Sequence, residues 1–441
     1  MNHSKLIAIA LLVGSSTMYA AVDPVSNWNT VAVQATLTAG ENAVVQSRTL
    51  AIVHVAIHDA LNSIDPRYER YAFKGDVRTW VLVDAAVAAA RDALVGAIAV
   101  GPVGIPQFGT PATQALAVAQ VNTAYATILA DIPDGAAKTD GITLGQAAAA
   151  AILALRSTDH ATALVPYTPG TKPGDWQPTP NPVPFDPPAP ADLLPAVLSG
   201  WGHVTPFVLR RSTQFEPDGP PRLSGKRYAR DYNEVKEIGD KNSTIRTAEQ
   251  TSIARFWYEN SPSMWSRIAI KVSQSKGLNL WDTARLLALV NLAMADGYIA
   301  GWETKYDFNF WRPVTAIRAG DTDGNDATIA DPNWSSLLNT PAHPDYISGG
   351  ASAEVLRRFF RSDDIPFTTT SGVPFAGLTR SYTSFSQAAA ENGDSRVYAG
   401  IHFRSAVEDG FKQGEKIGHF VFTHALQPLH RDDDDDEDRD R

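Results

Sequence analysis

Alanine-rich segments with an apolar residue at every third or fourth position recur through most of the chain. Examples are VDAAVAAARDALVGAIA, LGQAAAAAILALR, DTARLLALVNLAMADGYIAGWETK and GASAEVLRRFF. This spacing puts apolar side chains on one face of an α-helix, and runs that alternate with period two are scarce. The sequence therefore predicts an all-α protein, and its 441 residues are enough for a large buried core.

One internal segment and the C-terminus depart from this pattern. Residues 166–190, PYTPGTKPGDWQPTPNPVPFDPPAP, contain ten prolines in 25 positions and can form neither a helix nor a central strand. Such a segment is either a linker between two halves or a loop over one helical body. We favour the loop, because the helical segments on its two sides have the same character. The predicted organisation is one all-α domain at 22–430 and a disordered acidic tail at 431–441.

The N-terminus has the features of an export signal. MNHSKLIAIALLVGSSTMYAAVDP combines one lysine, a short apolar stretch and the small residues Ala20 and Ala21. This is typical of a secretory signal peptide, predicted at residues 1–21, and its apolar part is too short for stable membrane insertion. We therefore expect a secreted or periplasmic protein.

Charge and cysteine content exclude several classes of function. The formal net charge is −10 at pH 7, and the tail RDDDDDEDRDR alone has eight acidic residues against three arginines. An acidic chain without a basic stripe is not expected to bind nucleic acid. With no cysteine in the sequence, thiolate metal ligands and cysteine nucleophiles are excluded.

The segment KYDFNFWRPVTAIR places two cations among aromatic residues. We predict that the helix beginning near Thr283 continues to about Trp311. Lys305 and Arg312 would then lie two turns apart and nearly on one face. Pro313 disfavours helical geometry at Arg312, so that side chain could turn towards Lys305. By spacing alone a solvated helix face is the commoner explanation, but aromatic neighbours indicate burial, and buried cations require an anion.

A second segment, DSRVYAGIHFRSAVEDG, supplies a further arginine and a histidine. Arg396 and His402 are six residues apart and converge only if Arg396 precedes a helix, which we predict to start near Gly400 with Ser395 as its cap. Small residues then recur at every fourth position, at Ala406, Gly410, Gly414 and Gly418. This row predicts close helix packing that buries His402. A buried histidine by itself is more often a core residue than a ligand.

These two segments carry motifs of a known superfamily. KYDFNFWRP resembles its signature of lysine, six residues and Arg-Pro, and SRVYAGIH resembles its signature of Ser-Arg, five residues and histidine. The superfamily contains the vanadium-dependent haloperoxidases and the type 2 phosphatidic acid phosphatases (PAP2). LAIVHVAIHDALNSIDPRYERY, SIARFWYENSPSMWSRIA and AVEDGFKQGEKIG are similar to its secreted bacterial haloperoxidase branch. The resemblance spans nearly all of the mature chain and implies an all-α body built around two four-helix bundles.

The resemblance also implies a site for a tetrahedral oxyanion. Lys305, Arg312 and Arg396 would neutralise the oxygens of a vanadate cofactor, or of phosphate as a competing isostere. His402 would coordinate vanadium, or attack phosphorus in a phosphatase. Vanadate would act as a Lewis acid on hydrogen peroxide, with halide and a small organic acceptor as the other reactants. Trp302 matches a tryptophan that lines the halide region, and the resemblance is consistent with a homodimer.

A third signature of the superfamily is altered in this chain. The expected pattern is Pro-Ser-Gly-His at the start of a helix, where the histidine is an acid or base. The sequence PAHPDYISGGASAEVLRRFF matches at Ser348 and Gly349 but has Ile347 and Gly350 in place of proline and histidine. We infer a deletion of roughly two helical turns. Ser348 and Gly349 would still bind an anion at the helix N-terminus, and His343 is a candidate substitute for the lost histidine.

Three functions follow as alternatives. The first is a vanadium-dependent haloperoxidase, a peroxidase whose activity is impaired if nothing replaces the missing histidine. The second is an acid phosphatase that uses the same residues, since vanadate and phosphate share shape and charge. The third is a catalytically inactive relative that still binds an oxyanion.

Overall fold

More than half of the described residues lie in helices. The computed structural model describes residues 23–75, 83–89, 91–99, 109–163, 165–179 and 196–429. Within these ranges the regular structure is helical apart from one short two-stranded sheet, which confirms the predicted all-α class. The predicted signal peptide, the acidic tail and residues 180–190 of the proline-rich segment lie outside the described residues.

The first group of helices comes from the N-terminal part of the chain. It comprises α1 (Pro24–Ala39), α2 (Ala43–Ile64), α3 (Val83–Ala89), α4 (Arg91–Ala99), α5 (Pro111–Ala130) and α6 (Ala136–Arg156). Side chains of Asp23, Asn42 and Thr110 accept hydrogen bonds from first-turn amides and so fix the starts of α1, α2 and α5. Helix α2 packs against α6 and α4, and α1 packs against α5, which gives a compact bundle.

The second group begins after the proline-rich segment. Its helices are α7 (Lys226–Ile238), α8 (Ala248–Phe256), α9 (Ser261–Ser275), α10 (Leu280–Phe308), α11 (Pro313–Arg318), α12 (Ser352–Phe360), α13 (Phe385–Tyr398) and α14 (Arg404–His424). Strands β1 (Phe367–Thr370) and β2 (Thr379–Tyr382) form an antiparallel hairpin between α12 and α13. No helix among the described residues is long and apolar enough to cross a membrane.

Helix α10 joins the two groups. It has 29 residues and packs against α2 of the first bundle and against α9, α12 and α14 of the second. Because neighbours surround it, its buried residues are not confined to one stripe but continue around the helix from Thr283 to Lys305. Its C-terminal end therefore delivers Lys305 into the middle of the protein.

The end of α10 differs from the predicted position. The helix stops at Phe308 rather than near Trp311, because Asn309 adopts a left-handed conformation with φ 48°. The backbone then bonds to a distant loop: the Trp176 amide donates to the Asn309 carbonyl at 2.7 Å, and the Trp311 amide donates to Gly174 at 2.8 Å. These backbone hydrogen bonds join residues far apart in the sequence, so local spacing could not predict where α10 ends. The following residue, Arg312, is extended, as Pro313 predicts.

The predicted helix start near Gly400 is also wrong. Arg396 lies in the last turn of α13, and Gly400, with φ 76°, ends that helix. The Gly400 amide donates to Val397 and the Ile401 amide to Arg396, the hydrogen bonds of a Schellman motif. The chain then reverses into α14, so His402 lies in the connecting loop. Ser395 is inside α13, whose N-cap is Ser384.

The row of small residues on α14 packs as predicted. A Cβ atom on Gly410 would lie 2.2 Å from the carbonyl oxygen of Ser348, and one on Gly414 would lie 2.5 Å from that of Gly350. These distances are shorter than any van der Waals contact, so both positions require glycine. Helix α14 therefore holds the 348–351 segment by direct backbone contact.

A buried carboxyl group at the start of α2 makes the stability of the fold depend on pH. One oxygen of Glu41 accepts a hydrogen bond from Thr49 at 3.2 Å, and the other has no partner among the described residues. Burial raises the pKa of Glu41 from 4.5 to about 8, although Thr49 and Arg48 oppose this shift. The folded state therefore keeps a proton that the unfolded state releases. This contribution to stability is complete below pH 4.5 and is lost as the pH rises through 8.

We expect the Glu41→Gln variant to be more stable than wild type at pH 8, because the neutral amide removes the cost of ionising a buried carboxyl group. The gain in melting temperature should be several degrees at pH 8 and should shrink towards pH 5. Thermal unfolding of both proteins, followed by circular dichroism at three pH values between these limits, measures the difference. An equal difference at all three values would contradict the assigned role of Glu41.

Candidate functional site

A cavity of about 410 Å³ lies at the C-terminal end of α10, between that helix, the 341–352 segment, α13 and α14. Seven of the eight predicted site residues line it: Trp302, Lys305, His343, Ser348, Gly349, Arg396 and His402. The eighth, Arg312, lies behind its wall. Residues from four separate parts of the sequence thus meet at one place.

Lys305 is a buried cation at the inner end of the cavity. Its ammonium donates to the carbonyl oxygens of Asp345 at 3.0 Å and Pro344 at 3.3 Å, and to that of Ile347. Burial and the neighbouring Arg312 lower the pKa of Lys305 well below its usual value of 10.5. Lys305 therefore fixes the loop before Ser348, and an anion in the cavity would favour its charged form.

Arg312 is completely buried and bridges the two loops that carry histidines. Its guanidinium donates to the carbonyl oxygens of His343 and Ile401, both at 2.8 Å. It also lies 2.9 Å from Nδ1 of His343 and 3.1 Å from Nε2 of His402. The sequence predicted that Arg312 would contact the anion directly. In the structure its guanidinium contacts protein groups instead. It acts on the cavity through the two imidazoles that it contacts.

Arg396 faces the cavity from the last turn of α13 and is half-buried. Its guanidinium lies 5.8 Å from the ring of Tyr258 and makes no ion pair or hydrogen bond within the described ranges. Burial lowers its pKa from the usual 12.5. A cation without a counter-charge in a partly desolvated cavity is unfavourable by itself, so the position is suited to a bound anion.

His402 is paired with a carboxyl group that sequence reasoning missed. Nδ1 of His402 lies 2.9 Å from Oδ1 of Asp345, and Nη1 of Arg312 lies 3.6 Å from the same oxygen. Both His402 and Asp345 are buried. Burial raises the pKa of Asp345 to about 7, against the opposing effect of Arg312 and Lys305. Burial and the same two cations lower the pKa of His402 well below 6.5, so its imidazole is neutral.

The sequence did contain a signal for Asp345. Histidines that bind metals usually pair their second ring nitrogen with a carboxylate or a carbonyl group. Asp345 stands in the HPDY stretch between His343 and the altered Ser-Gly signature, where a partner for His402 should have been sought. Its amide donates to Phe310 at 2.8 Å, so the segment after α10 fixes its position.

The altered signature does not lie at a helix N-terminus. Helix α12 begins at Ser352, so Ser348 and Gly349 precede it by three or more residues, and the predicted contribution of the helix dipole is wrong. The amide of Ser348 donates to the carbonyl oxygen of Ala406 at 2.8 Å and is therefore already used. Gly349 and Gly350 are exposed at the mouth of the cavity. A Cβ atom on Gly350 would have no neighbour within 4 Å, so nothing fills the place of the missing side chain.

His343 and Trp302 form the opposite wall. Their rings are 4.6 Å apart, and the indole nitrogen of Trp302 donates to Val197 at 3.2 Å. Burial and the cations Arg312 and Lys305 lower the pKa of His343 well below 6.5. The neutral imidazole of His343 therefore lines the cavity, as its proposed role in place of the missing histidine requires.

Comparisons with known proteins find relatives of this chain. Residues 285–431 match the family described as the VCPO second helical-bundle domain. The chain is 26% identical to the vanadium chloroperoxidase of Curvularia inaequalis over 460 residues, which cover 81% of this chain and 74% of that protein. The matched family segment includes Lys305, Arg312, Arg396 and His402.

Solved structures give the same result for the whole fold. The crystal structure of the first bacterial vanadium-dependent iodoperoxidase superposes with a TM-score of 0.76 at 25% identity, covering 93% of this chain and 98% of that one. A holo-type bacterial vanadium-dependent chloroperoxidase has a TM-score of 0.66 at 18% identity, covering 88% and 95%, and supports the fold alone. The motifs, the family match over residues 285–431 and these structures together support assignment of the chain to the vanadium haloperoxidase superfamily.

Proposed function

We propose that the protein is a vanadium-dependent haloperoxidase that oxidises a halide with hydrogen peroxide at a vanadate held in this cavity. The observation that carries the proposal is the unpaired guanidinium of Arg396, which faces the same space as Lys305 and the imidazole of His402. This set of donors fits a tetrahedral oxyanion, because it offers two cations at the wall and one nitrogen ligand. Bound vanadate would supply a Lewis acid that activates hydrogen peroxide.

The residues around His402 position its imidazole to bind vanadate. Asp345 lies 2.9 Å from Nδ1 of His402 and Nη1 of Arg312 lies 3.1 Å from Nε2, so vanadium at Nε2 would take the place of the Arg312 contact. Arg312 holds the backbone of both histidine loops, so it sets the distance between His402 and His343. Lys305 and Arg396 would balance the charge of the oxyanion.

Proton transfer requires a group other than residue 350, since glycine has no side chain. His343 is suited to this role because its neutral imidazole lines the cavity between Trp302 and Arg312. We expect His343→Gln to lower turnover by about 10²- to 10⁴-fold, the usual effect of losing a general acid or base. Glutamine can still accept the hydrogen bond from Arg312, so vanadate affinity should change little.

Steady-state bromide oxidation and a vanadate titration of the same variant check this expectation. The His343→Ala variant serves as a control that also removes the acceptor for Arg312. Wild-type turnover in His343→Gln would show that His343 does not transfer the proton.

The acid phosphatase remains the second candidate, and the Asp345–His402 pair is the observation that favours it. Once ionised, the carboxyl group of Asp345 beside Nδ1 would stabilise the positive charge that develops when the ring attacks phosphorus. The same cations would hold the phosphate oxygens. The phosphatase would use the same residues as the haloperoxidase and would differ from it only in the reaction.

One experiment separates the functions. The purified protein is assayed for bromide oxidation with hydrogen peroxide while vanadate is titrated, with and without phosphate, and in parallel for hydrolysis of p-nitrophenyl phosphate. Vanadate-dependent oxidation that phosphate suppresses is the result expected of the haloperoxidase. Hydrolysis without oxidation at saturating vanadate would replace it with the phosphatase, and neither activity would indicate an inactive oxyanion-binding relative.

A further inference from the structure

Sulfur is scarce in this chain. The sequence has no cysteine and only four methionines among its 441 residues. Met1 and Met18 fall in the predicted signal peptide, so the sulfur atoms expected in the mature protein are those of Met264 and Met294. Where cysteine is missing, the methionine thioether is the side chain that two-electron oxidants attack most readily, and the product is the sulfoxide. The positions of these two residues therefore decide where a strong oxidant modifies the protein.

Met294 belongs to a row of α10 residues that lines the cavity: Met294, Gly297, Tyr298, Gly301, Trp302 and Lys305. Steps of three and four residues keep this row on one helix face. Met294 and Lys305 lie about 16 Å apart along the axis, at 1.5 Å per residue. A Cβ atom on Gly301, between them, would meet no heavy atom within 4 Å, so this part of the row is open. A small molecule that forms near Lys305 thus reaches Met294 through the same cavity.

Met264, on the neighbouring helix α9, differs from Met294 in its surroundings. It does not line the cavity, and its sulfur accepts hydrogen bonds from Nη2 of Arg267 at 3.3 Å and from Oγ1 of Thr369 at 3.8 Å. These donors occupy the lone pairs that an oxidant attacks. Within the described ranges no donor contacts the sulfur of Met294. The two methionines should therefore differ strongly in their rates of oxidation.

Oxidation of Met294 would place a polar oxygen in an apolar wall. The residue is part of the main apolar core cluster, and α10 packs there against α2, α9 and α12. The sulfoxide is polar and chiral where the thioether is apolar and flexible. A buried oxygen without a hydrogen-bond donor is unfavourable, so the wall must rearrange around it. That rearrangement acts on the helix that positions Lys305.

We propose that Met294 is the residue at which the enzyme is oxidised by its own product, and that its sulfoxide ends turnover when no organic acceptor consumes that product. The identity of the oxidant as a hypohalous acid rests on the proposed haloperoxidase function. The sulfur attacks the bromine of hypobromous acid and displaces hydroxide. Water then adds to sulfur as bromide leaves, and one of the two released protons neutralises the hydroxide. The net products are the sulfoxide, bromide and one proton, with sulfur oxidised and bromine reduced by two electrons.

The variant Met294→Leu removes the sulfur and keeps an apolar side chain of similar volume, and Met264→Leu is its matched control. Circular dichroism and thermal unfolding check that both variants fold. The three proteins turn over vanadate, bromide and hydrogen peroxide without an organic acceptor, and parallel samples receive reagent hypobromous acid alone. Peptide mass spectrometry follows the sulfoxide at each methionine. A tryptic digest of wild type, treated with the same reagent, is the control in which the fold protects neither residue.

We expect Met294 to be oxidised at least about tenfold faster than Met264 in the folded protein under both treatments, and both residues at similar rates in the digest. Initial turnover of Met294→Leu should lie within about twofold of wild type. Its activity should then decay at least about fivefold more slowly, whereas Met264→Leu should decay as wild type does.

Similar oxidation of the two methionines in the folded protein would overturn the proposal. So would equal decay of wild type and Met294→Leu during turnover, because the lesion would then lie elsewhere. If reagent hypobromous acid oxidises Met294 first but vanadate, bromide and hydrogen peroxide oxidise neither bromide nor methionine, the proposed function fails and the modification site stands.

Discussion

Replacing His402 with alanine is expected to abolish both vanadate-dependent bromide oxidation and phosphomonoester hydrolysis. In either reaction the imidazole supplies the one nitrogen ligand or nucleophile that we assign to the site. The imidazole is neutral, with Asp345 2.9 Å from Nδ1 and Arg312 3.1 Å from Nε2, so binding at Nε2 would displace the Arg312 contact. Losses of a nucleophile or of a metal ligand exceed those of a general acid, so activity should fall by more than about 10⁴-fold.

The measurement is turnover of the purified variant at saturating vanadate, compared with wild type. Circular dichroism and thermal unfolding control for misfolding, since His402 is buried. A His402→Gln variant offers a further comparison, because it keeps a polar group near Asp345 but cannot coordinate as imidazole does. Unchanged turnover in His402→Ala would eliminate the haloperoxidase and the phosphatase together.

The Arg312→Ala variant should lose oxyanion affinity and stability together. The guanidinium donates to two backbone carbonyls and contacts the rings of His343 and His402, and it lies 3.6 Å from Asp345. Removing it leaves buried acceptors unsatisfied and a buried carboxyl group without its cation. We expect about 3 to 5 kcal/mol of destabilisation, together with weaker vanadate binding because His343 and His402 lose the group that positions them.

Arg312→Lys separates the two effects. Lysine keeps the positive charge but cannot reach both histidine loops with a planar fork. Arg312→Lys should therefore retain part of the vanadate affinity but few of the hydrogen bonds that join the two histidine loops. Vanadate affinity is measured by calorimetric titration, and the free energy of unfolding by chemical denaturation, for wild type, Arg312→Ala and Arg312→Lys. An unaltered vanadate affinity in Arg312→Ala would show that the site is wrongly assigned.

The fold class could be predicted from the sequence for a physical reason, since helical periodicity depends on local spacing. The meeting of the site residues was implied by the resemblance of two motifs to a known superfamily and not by their spacing. Helix ends were predicted less well. The end of α10 at Phe308 depends on backbone pairing with Gly174 and Trp176, more than 130 residues away, which no local pattern contains.

Other errors had a signal that could have been used. Glycine is typical of the position just after a helix ends, where it adopts a positive φ as Gly400 does, so it favours a helix end there over a helix start. With that assignment Arg396 ends one helix and His402 follows in the turn. For Asp345 the signal was its place in the HPDY stretch between His343 and the altered signature, although its burial depends on tertiary packing.

The central claim is that the cavity between α10, α13 and α14 binds vanadate through His402. A crystal structure of the protein grown with orthovanadate tests it most directly. We predict vanadium density bonded to Nε2 of His402, with its oxygens in contact with Lys305 and Arg396. A free Nε2 in the presence of saturating vanadate, or vanadate bound elsewhere, would contradict the account.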